Sequence, residues 1–487
     1  MYSNDKLMHS LMCFKECCQV PPSPQLLLQI YVTFKSLKKE RKLPENFTFE
    51  NYLAVWRSSR RAENFVGLDD GKTEHGASSE AQLIDRPVNK LKGEVKTLVL
   101  LVDFPDLPHM PGKTTSYYEQ MLFGDLDAFP TGSMAEYYRK ISNYNRSKGT
   151  IGVNISGHVH GWFRLPQNSE FYAGGNSGMG SYPSNVQRMA EDAIEIALAN
   201  GVEIGEEYDV FREGTVTALF IIHAGAGAEV SGEKSDLWSL KWLLSKPKRV
   251  PGGPKINTFL TVPEDCQVGV CAHEWGHLAG RWADFYDTGK IKNSLSNGLG
   301  NYCLMASGSW NNNGVTPSFP NGMLRMFHNW IEPLVLSESR SHIEILPASE
   351  GGSIVIIPYS SSRRQDSLAY LFVEYRRKKD QDTFLTDEGI AIYSVDELID
   401  NVNNESLLAI ELIQADGRRD LGKTFSQGNA GDNSDLYPFI DTEGRVVNVV
   451  GKGTTPQLLA PDGKWTGVTI TVHGSAGDAS MFIDVSM

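Results

Sequence analysis

The pattern of apolar and polar positions divides the chain into a helical start, a mixed centre and a strand-rich end. From Leu26 to about Trp56 the apolar residues recur at helical intervals, which predicts a small helical segment. Continuous apolar runs at 95–104 and 215–223 predict buried strands. After residue 333 the runs become short and alternating, with turn residues between them, which is typical of a β-rich unit.

These patterns predict three parts and an α+β fold. With 487 residues the chain is too long for one core of ordinary size. Residues 1–90 form a small helical N-terminal segment and a polar linker at 58–86, and a pro-segment-like role for them is the alternative to a plain spacer. Residues 91–335 form the central domain, and residues 336–487 form the β-rich C-terminal unit.

One stretch, CAHEWGHLAG at 271–280, carries the strongest chemical pattern. On a helix, His273 and His277 lie one turn apart on the same face, close enough to hold one metal ion. Glu274 then reaches a water at that metal without being a ligand itself. Val268, Ala272, Trp275 and Ala279 share an apolar stripe, so we expect a buried helix and a zinc site of a hydrolase.

The third metal ligand is expected just after this helix. A catalytic zinc takes three protein ligands and leaves a position for water, and either Asp284 or Asp287 supplies the required carboxylate. A glutamate on a later helix is disfavoured because none occurs between Glu274 and Glu332. Gly280 is predicted to end the helix in the left-handed conformation and turn the chain back toward the metal.

Further residues are candidates for supporting roles. Met305, in the stretch CLMASGSW, is predicted to form a tight turn and a hydrophobic floor beneath the zinc. Tyr286 and Tyr302 are the candidate donors to the oxyanion of the reaction. Asp432, Asn433 and Asp435 lie in a Gly-rich loop and are candidate calcium ligands, although they lack the full EF-hand series.

Charge and hydropathy exclude several classes of function. The 46 basic and 59 acidic residues give a net charge of −13, which argues against a nucleic-acid partner because phosphate requires a basic surface. No apolar window is long enough to predict a transmembrane segment. The first twenty residues lack the apolar core of a secretory signal, so no signal peptide is visible.

Several stretches resemble one protein family in content and order. They are VLLVDFPD at 99–106, SMAEYYRKIS at 133–142, IIHAGAGAE at 221–229, the HEWGH helix, LMASGSW at 304–310, EYR at 374–376 and GDNSDLYP at 431–438. With them, the chain from about Val95 to near its end resembles the M6 metalloproteases, typified by the bacterial immune inhibitor A proteases.

The resemblance implies a metzincin-like zinc protease domain at 91–335, with a twisted mixed sheet and an active-site helix. It implies His273, His277 and Asp284 as zinc ligands and Glu274 as the catalytic base. The family usually writes HExxHxxGxPDxYD, and this chain has one extra residue between Gly280 and Asp284, so the turn must bulge. Asp287 is the fallback ligand.

We therefore expect a zinc-dependent endopeptidase that hydrolyses peptide bonds of protein or peptide substrates. The alternative is a catalytically retired protein that keeps the scaffold and binds polypeptide or glycan, and the intact Glu274 argues against it. Calcium is a second cation to consider, since members of the family often hold it. The family resemblance suggests secretion, whereas the visible N-terminus suggests a protein inside the cell, and the oligomeric state is left open.

Overall fold

The structure of the chain is a computed structural model. It describes residues 18–59, 86–125, 129, 131–145, 152–287, 296–359, 368–399, 408–424, 426–460 and 462–487. The predicted linker at 58–86 lies outside these ranges, apart from residues 58, 59 and 86. Within these ranges, no helix combines the length and the apolar character needed to cross a membrane.

Helices occur in the N-terminal segment and in the HEWGH stretch, as the sequence predicted, and in several further segments of the chain. In chain order they are α1 (Pro24–Lys39), α2 (Phe49–Ser58), α3 (Thr115–Phe123), α4 (Met134–Ile141), α5 (Ser169–Ala173), α6 (Val186–Ala199), α7 (Ala228–Ser231), α8 (Val268–Leu278) and α9 (Gly322–Phe327). Several begin at a side-chain cap. The hydroxyl groups of Ser23, Thr48 and Thr114 accept hydrogen bonds from the first turns of α1, α2 and α3. Such caps satisfy backbone N–H groups that have no partner within the helix.

The chain folds into two compact units, and the first contains a six-stranded mixed sheet. Its strands are β1 (Cys18–Gln19), β2 (Gly93–Asp103), β3 (Val153–Arg164), β4 (Leu219–His223), β5 (Leu240–Lys248) and β6 (Ile256–Pro263). They lie in the order β1-β5-β6-β4-β2-β3. Strands β2, β4 and β6 are parallel, whereas β5 runs antiparallel to β6 and β1 antiparallel to β5.

The centre of this sheet is apolar because its strands are buried throughout. Residues 98–102 of β2 and 219–222 of β4 have no exposed surface, which accounts for their continuous apolar runs. Helix α8 packs on β5 and β6, and all its residues are buried. The indole of Trp275 donates a hydrogen bond to Thr97 Oγ1 of β2 at 3.1 Å. The mixed α/β architecture with a mixed sheet agrees with the coarse fold class expected from the sequence.

The second unit is built from short strands. They are β7 (Leu334–Val335), β8 (Arg340–Ile345), β9 (Val355–Pro358), β10 (Ala369–Arg376), β11 (Gly389–Asp396), β12 (Ile410–Leu412), β13 (Phe439–Ile440), β14 (Val446–Val447), β15 (Val449–Val450), β16 (Thr469–His473) and β17 (Met481–Ser486). One sheet has the order β12-β11-β10-β9-β7 and another β15-β16-β17-β8, while β13 pairs with β14. Alternate residues of these strands enter one apolar core, among them Leu371, Val373, Ile390, Ile392 and Ile483.

Candidate metal centre

Helix α8 brings two histidine side chains together. His273 and His277 lie four residues apart on α8, and both are fully buried. Their Nε2 atoms are 3.1 Å apart. Two nitrogens bound to one tetrahedral zinc at the usual bond length would be about 3.3 Å apart, so the two imidazoles already point at a common position. The spacing predicted from helical geometry is the spacing that the structure has.

A carboxylate completes the group. One ligand atom each from His273, His277 and Asp284 all lie within 4.8 Å of one another, and Asp284 is fully buried. Asp287 is also buried but does not belong to this group. Two imidazoles and one carboxylate are three protein ligands of the kinds that zinc prefers, and three is the number that leaves a coordination position for water. The donor set therefore fits a catalytic zinc ion.

The turn after α8 differs from the expected left-handed glycine. Helix α8 ends at Leu278, and the residue with positive φ is Arg281, at 56°, whereas Gly280 is not left-handed. Gly280 is needed for space instead, because a Cβ there would lie 2.6 Å from the carbonyl oxygen of Gly276. The backbone N–H of Trp282 donates to that same oxygen at 3.2 Å. The extra residue is thus accommodated by one left-handed residue after the glycine.

This turn also orients one of the histidines. The carbonyl oxygen of Trp282 lies 2.6 Å from Nδ1 of His277. A carbonyl can only accept, so Nδ1 carries the hydrogen and Nε2 has a lone pair for a metal. Trp282 is 1% exposed, and its burial fixes the position of this carbonyl. The turn that looks too long in the sequence therefore sets the tautomer of His277.

Arg281 fixes the other side of the turn. Its guanidinium forms a hydrogen-bonded ion pair with Glu213 and lies over the ring of Phe211, 5.0 Å from the ring centroid. The side chains of Arg281 and Glu213 are 15% and 27% exposed, so the pair is only partly screened by solvent. A non-glycine residue with positive φ is strained, and these contacts compensate for that strain.

The expected general base lies between the two histidines in sequence. Glu274 follows His273 directly on α8 and is fully buried. Because successive helical residues are rotated by about 100°, its carboxylate leaves the helix on a different side from the His273 and His277 rings. Glu274 is therefore close to the ligands in sequence without belonging to the group that they form with Asp284.

Two backbone hydrogen bonds hold the segment that carries Asp284. The N–H of Phe285 donates to the carbonyl oxygen of Met305 at 2.7 Å, and the N–H of Leu299 donates to the carbonyl oxygen of Phe285 at 2.8 Å. Met305 is fully buried and lies in a tight turn in which Ala306 N–H donates to Cys303 O at 3.0 Å. The turn predicted around Met305 is present, and its backbone contacts the residue next to Asp284.

The two tyrosines predicted as oxyanion donors differ in their surroundings. Tyr302 is fully buried, and its hydroxyl donates to Asp435 Oδ2 at 2.9 Å and lies 3.0 Å from the carbonyl oxygen of Asp432. Its one hydrogen is therefore already engaged in a buried contact, which makes it unsuited to bind a substrate oxygen. Tyr286 is 5% exposed and directly precedes Asp287.

The predicted calcium site is not supported. Asp435 is buried, and its carboxylate accepts hydrogen bonds from the Tyr302 hydroxyl, from Asp432 N–H and from the side chain of Gln414. The Asp432 oxygens accept from Ser434 and Asn429, and Asn433 is exposed. Carboxylates that already accept this many protein donors lack the free lone pairs that Ca²⁺ coordinates.

A second acidic group shares Asp432 with this loop. Ligand atoms of Asp416, Asp420 and Asp432 lie within 4.8 Å of one another. Arg418 is 3.3 Å from Asp416, and Lys423 is 2.7 Å from Asp420. These side-chain cations already balance much of the negative charge, so the group has the character of a partly buried acidic loop.

Sequence reasoning missed the two features that shape the turn, which are the Trp282 carbonyl and the Arg281 ion pair. A backbone carbonyl has no residue-type signal, so no motif could have identified its contact with His277. The one extra residue between Gly280 and Asp284 was visible in the sequence as a departure from the family pattern, and that departure was the only available signal.

Comparisons with known proteins find relatives of the part of the chain that carries these residues. Residues 88–330 match the family model described as immune inhibitor A peptidase M6, catalytic domain. The chain is 28% identical over 312 residues to the Pre-pro-metalloprotease PrtV of Vibrio cholerae, which covers 56% of this chain and 33% of that protein. It is 30% identical over 267 residues to Immune inhibitor A of Bacillus thuringiensis subsp. alesti, which covers 46% of this chain and 38% of that protein.

These relatives are much longer than the region they share with the chain, which spans about a third of their length. The family match covers residues 88–330, and this range includes the HEWGH helix, the turn after it and the Met305 turn. The chain belongs to the peptidase M6 family, through an immune inhibitor A-type catalytic domain at residues 88–330.

Proposed function

We propose that this chain hydrolyses peptide bonds of protein substrates at a zinc ion held by His273, His277 and Asp284, with Glu274 as the general base. The observation that carries the proposal is the convergence of three ligand atoms within 4.8 Å in a metalloprotease-type sequence motif. Membership of the peptidase M6 family supports the same activity. We also propose that the domain at residues 91–335 has the metzincin-like fold that the family resemblance implies.

The chemistry divides between the metal and the chain. A zinc ion bound there would polarise the scissile carbonyl and lower the pKa of water at the site. Glu274 accepts the proton of the attacking water on its carboxylate and then passes it to the nitrogen of the leaving amine. The Nδ1–H group of His277 donates a hydrogen bond to the Trp282 carbonyl oxygen, so the Nε2 atom stays available as a metal ligand.

The alternative, a retired scaffold that binds polypeptide or glycan, is not favoured. A retired enzyme has no requirement to keep both the base and a converging set of metal ligands. Here Glu274 is intact, and His273, His277 and Asp284 remain grouped and buried. Their burial has a free-energy cost that binding a metal ion would offset.

The mechanism is tested by replacing Glu274 with Gln. The amide keeps the shape of the side chain but cannot accept the proton, so we expect the rate of peptide hydrolysis to fall by about 10²–10⁴-fold with the zinc content unchanged. Zinc is measured per chain, and hydrolysis is followed with casein or a quenched fluorescent peptide. A Gln variant that retains both zinc and most of the wild-type rate would contradict the role of Glu274.

Tyr286 is the tyrosine that we retain as donor to the oxyanion, because the Tyr302 hydroxyl already donates within the protein. Loss of one such donor typically lowers kcat by about 10²-fold or more. We expect Tyr286→Phe to lower kcat with little change in KM. An unchanged kcat would remove Tyr286 from the mechanism.

We also propose the three-part division at residues 90 and 335, with a pro-segment-like role for residues 1–90. The support is strand β1, whose Cys18 and Gln19 pair with Lys241 and Leu240 of β5. Val20 is fully buried, and its carbonyl accepts a hydrogen bond from the Trp238 indole at 2.9 Å. Without β1, strand β5 would be a sheet edge, to which an extended peptide can bind as an added strand.

Val20→Asp tests this role, because a buried carboxylate would loosen the added strand while leaving β5 itself intact. We expect a higher kcat/KM for a peptide substrate than in the wild-type chain. Val32→Asp is the matched control, since Val32 is 59% exposed on α1. Equal kcat/KM values for a folded Val20→Asp variant and the wild type would argue for a plain spacer.

A further inference from the structure

The second unit contains a fully buried ion pair that is joined by two parallel hydrogen bonds. Arg376 and Asp382 are both 0% exposed. Nε and Nη2 of Arg376 donate to the two carboxylate oxygens of Asp382, each at 2.7 Å. This two-pronged contact uses the planar guanidinium fully, and lysine could not reproduce it.

The same guanidinium also holds backbone. Nη1 of Arg376 donates to the carbonyl oxygen of Tyr302, and Nη2 donates to the carbonyl oxygen of Phe319 at 3.3 Å. Asp382 Oδ1 in turn accepts from the N–H of Phe319 at 3.0 Å. The pair therefore fixes two points of the chain between residues 302 and 319, which has turns and short 3₁₀ segments in place of a regular hydrogen-bonded ladder.

From Tyr302 a short series of backbone contacts leads to the third proposed ligand. Tyr302 N–H donates to Leu299 O at 3.2 Å, and Leu299 N–H donates to Phe285 O at 2.8 Å. On the other side, Phe285 N–H donates to Met305 O at 2.7 Å. Phe285 is covalently next to Asp284, so the position of the Asp284 backbone depends on where residues 302–305 are held. We call this segment, which leads into the Met305 turn, the Tyr302–Met305 turn.

We propose that Arg376, paired with Asp382, is a positioning residue for the metal ligand Asp284 and acts through the Tyr302–Met305 turn. The inference rests on the proposed zinc site but concerns a residue that lies outside the ligand set and is about ninety positions away in sequence. Arg376 touches neither metal nor substrate in this role. Its effect is to limit the movement of the turn whose Met305 carbonyl accepts the hydrogen bond from the Phe285 N–H group.

The pair is suited to this role because it is shielded from water. Contacts to buried charged groups are little screened, and residues that orient ligands typically alter metal affinity by about 10–100-fold when they are replaced. Glu374 and Arg325 belong to the same buried surroundings, because Glu374 Oε1 is 3.4 Å from Arg376 Nη1 and Arg325 interacts electrostatically with Glu374. The two arginines and the two carboxylates balance in charge, so the effect expected of Arg376 is one of geometry.

The test compares Arg376→Met with Arg325→Met in the full chain. Arg325 is an equally buried arginine that also donates to backbone carbonyls, those of Ile141 at 2.6 Å and Gly351 at 3.0 Å, but not to the Tyr302–Met305 turn. Both variants lose one buried positive charge. Only Arg376→Met loses the contact with Tyr302.

The readout is the zinc dissociation constant, measured by competition with a chromophoric chelator, together with the visible absorption spectrum of the Co²⁺-loaded protein. We expect Arg376→Met to bind zinc about 10–100-fold more weakly and to alter the Co²⁺ spectrum. We expect Arg325→Met to stay within about 3-fold of the wild type, although it loses stability. A folded Arg376→Met variant with wild-type zinc affinity, or equal losses in both variants, would overturn the inference.

If Arg376→Met does not fold, Arg376→Lys decides the matter. Lysine keeps the charge and most of the volume but cannot bond Asp382 and Tyr302 together, so a weakened zinc affinity supports the inference and an unchanged affinity refutes it. The proposed function fails separately. A wild-type chain without stoichiometric zinc would refute the zinc site itself, whereas wild-type zinc with unaffected Arg376 variants would refute only the positioning role.

Discussion

The third ligand of the proposed zinc site is the part that the sequence left open, and replacing Asp284 with Asn tests it directly. Asparagine has nearly the same shape as aspartate, but its neutral amide oxygen is a much poorer zinc ligand. Asp287→Asn is the matched control, because Asp287 is also buried and lies three residues later, outside the ligand group. The two variants differ in one respect, namely which carboxylate is lost.

The size of the effect follows from the number of ligands. Structural zinc sites with four protein ligands contribute about 10–16 kcal/mol, or roughly 3 kcal/mol for each ligand. Losing Asp284 from a three-ligand site should therefore weaken zinc binding by about 100-fold. The metal-free protein should lose little stability, because the substitution replaces a fully buried carboxylate by a neutral amide.

The assay is urea unfolding with and without saturating zinc, combined with chelator competition. At a fixed zinc concentration, a site weakened by about 100-fold loses about 2.7 kcal/mol of zinc-dependent stabilisation. We expect this loss for Asp284→Asn and almost none for Asp287→Asn. Comparing the zinc-free curves of the two variants separates a metal effect from a folding effect.

The opposite result would refute the reasoning. If Asp287→Asn lost the zinc-dependent stabilisation and Asp284→Asn kept it, the fallback ligand would be the real one. If neither variant lost it, the third ligand would come from elsewhere and the grouping of Asp284 with His273 and His277 would be incidental.

Two further predictions follow from single features of the first unit. Arg281 has φ of 56°, so the Arg281→Gly variant should be more stable than the Arg281→Ala variant by about 1 kcal/mol in urea unfolding. Both variants lose the ion pair with Glu213, but only glycine relieves the backbone strain. Equal stabilities of the two variants would contradict this prediction. Burial raises the pKa of Glu229 from 4.5 to about 7, so the folded chain holds this proton more tightly than the unfolded chain. The stabilisation that the Glu229 proton gives the folded chain is complete below pH 4.5 and is lost as the pH rises to about 7, so the free energy of unfolding falls by roughly 3 kcal/mol. Glu229→Gln should abolish this fall. An unchanged pH dependence of stability in that variant would contradict the prediction.

Several features of the site could be predicted because they depend on local geometry. His273 and His277 share a face of α8 since a helix repeats about every 3.6 residues, whatever it packs against. The apolar runs of β2 and β4 predicted buried strands for a similarly local reason. The tight turn at Met305 was also visible as a pattern in the sequence. In each case the residues that determine the structure are neighbours in the chain.

What the sequence could not decide depends on partners distant in the chain. The sequence allowed Asp284 or Asp287 as the third ligand and placed the left-handed residue at Gly280, because the path of the turn is set by contacts that a local pattern does not contain. Those contacts are made by Arg281 with Glu213, 68 residues earlier, and by Phe285 with Met305. The same holds for Tyr302, whose hydroxyl is engaged by Asp435, 133 residues later.

The sequence by itself therefore determined the spacing of the side chains on the HEWGH helix, and the tertiary structure decided which carboxylate lies beside its two histidines. Helical periodicity is a property of the backbone and can be read from spacing alone. The position of Asp284 instead depends on tertiary hydrogen bonds and ion pairs. They include the contact of the Trp282 carbonyl with His277 and the buried Arg376–Asp382 pair. Such contacts form only when distant parts of the chain are folded together.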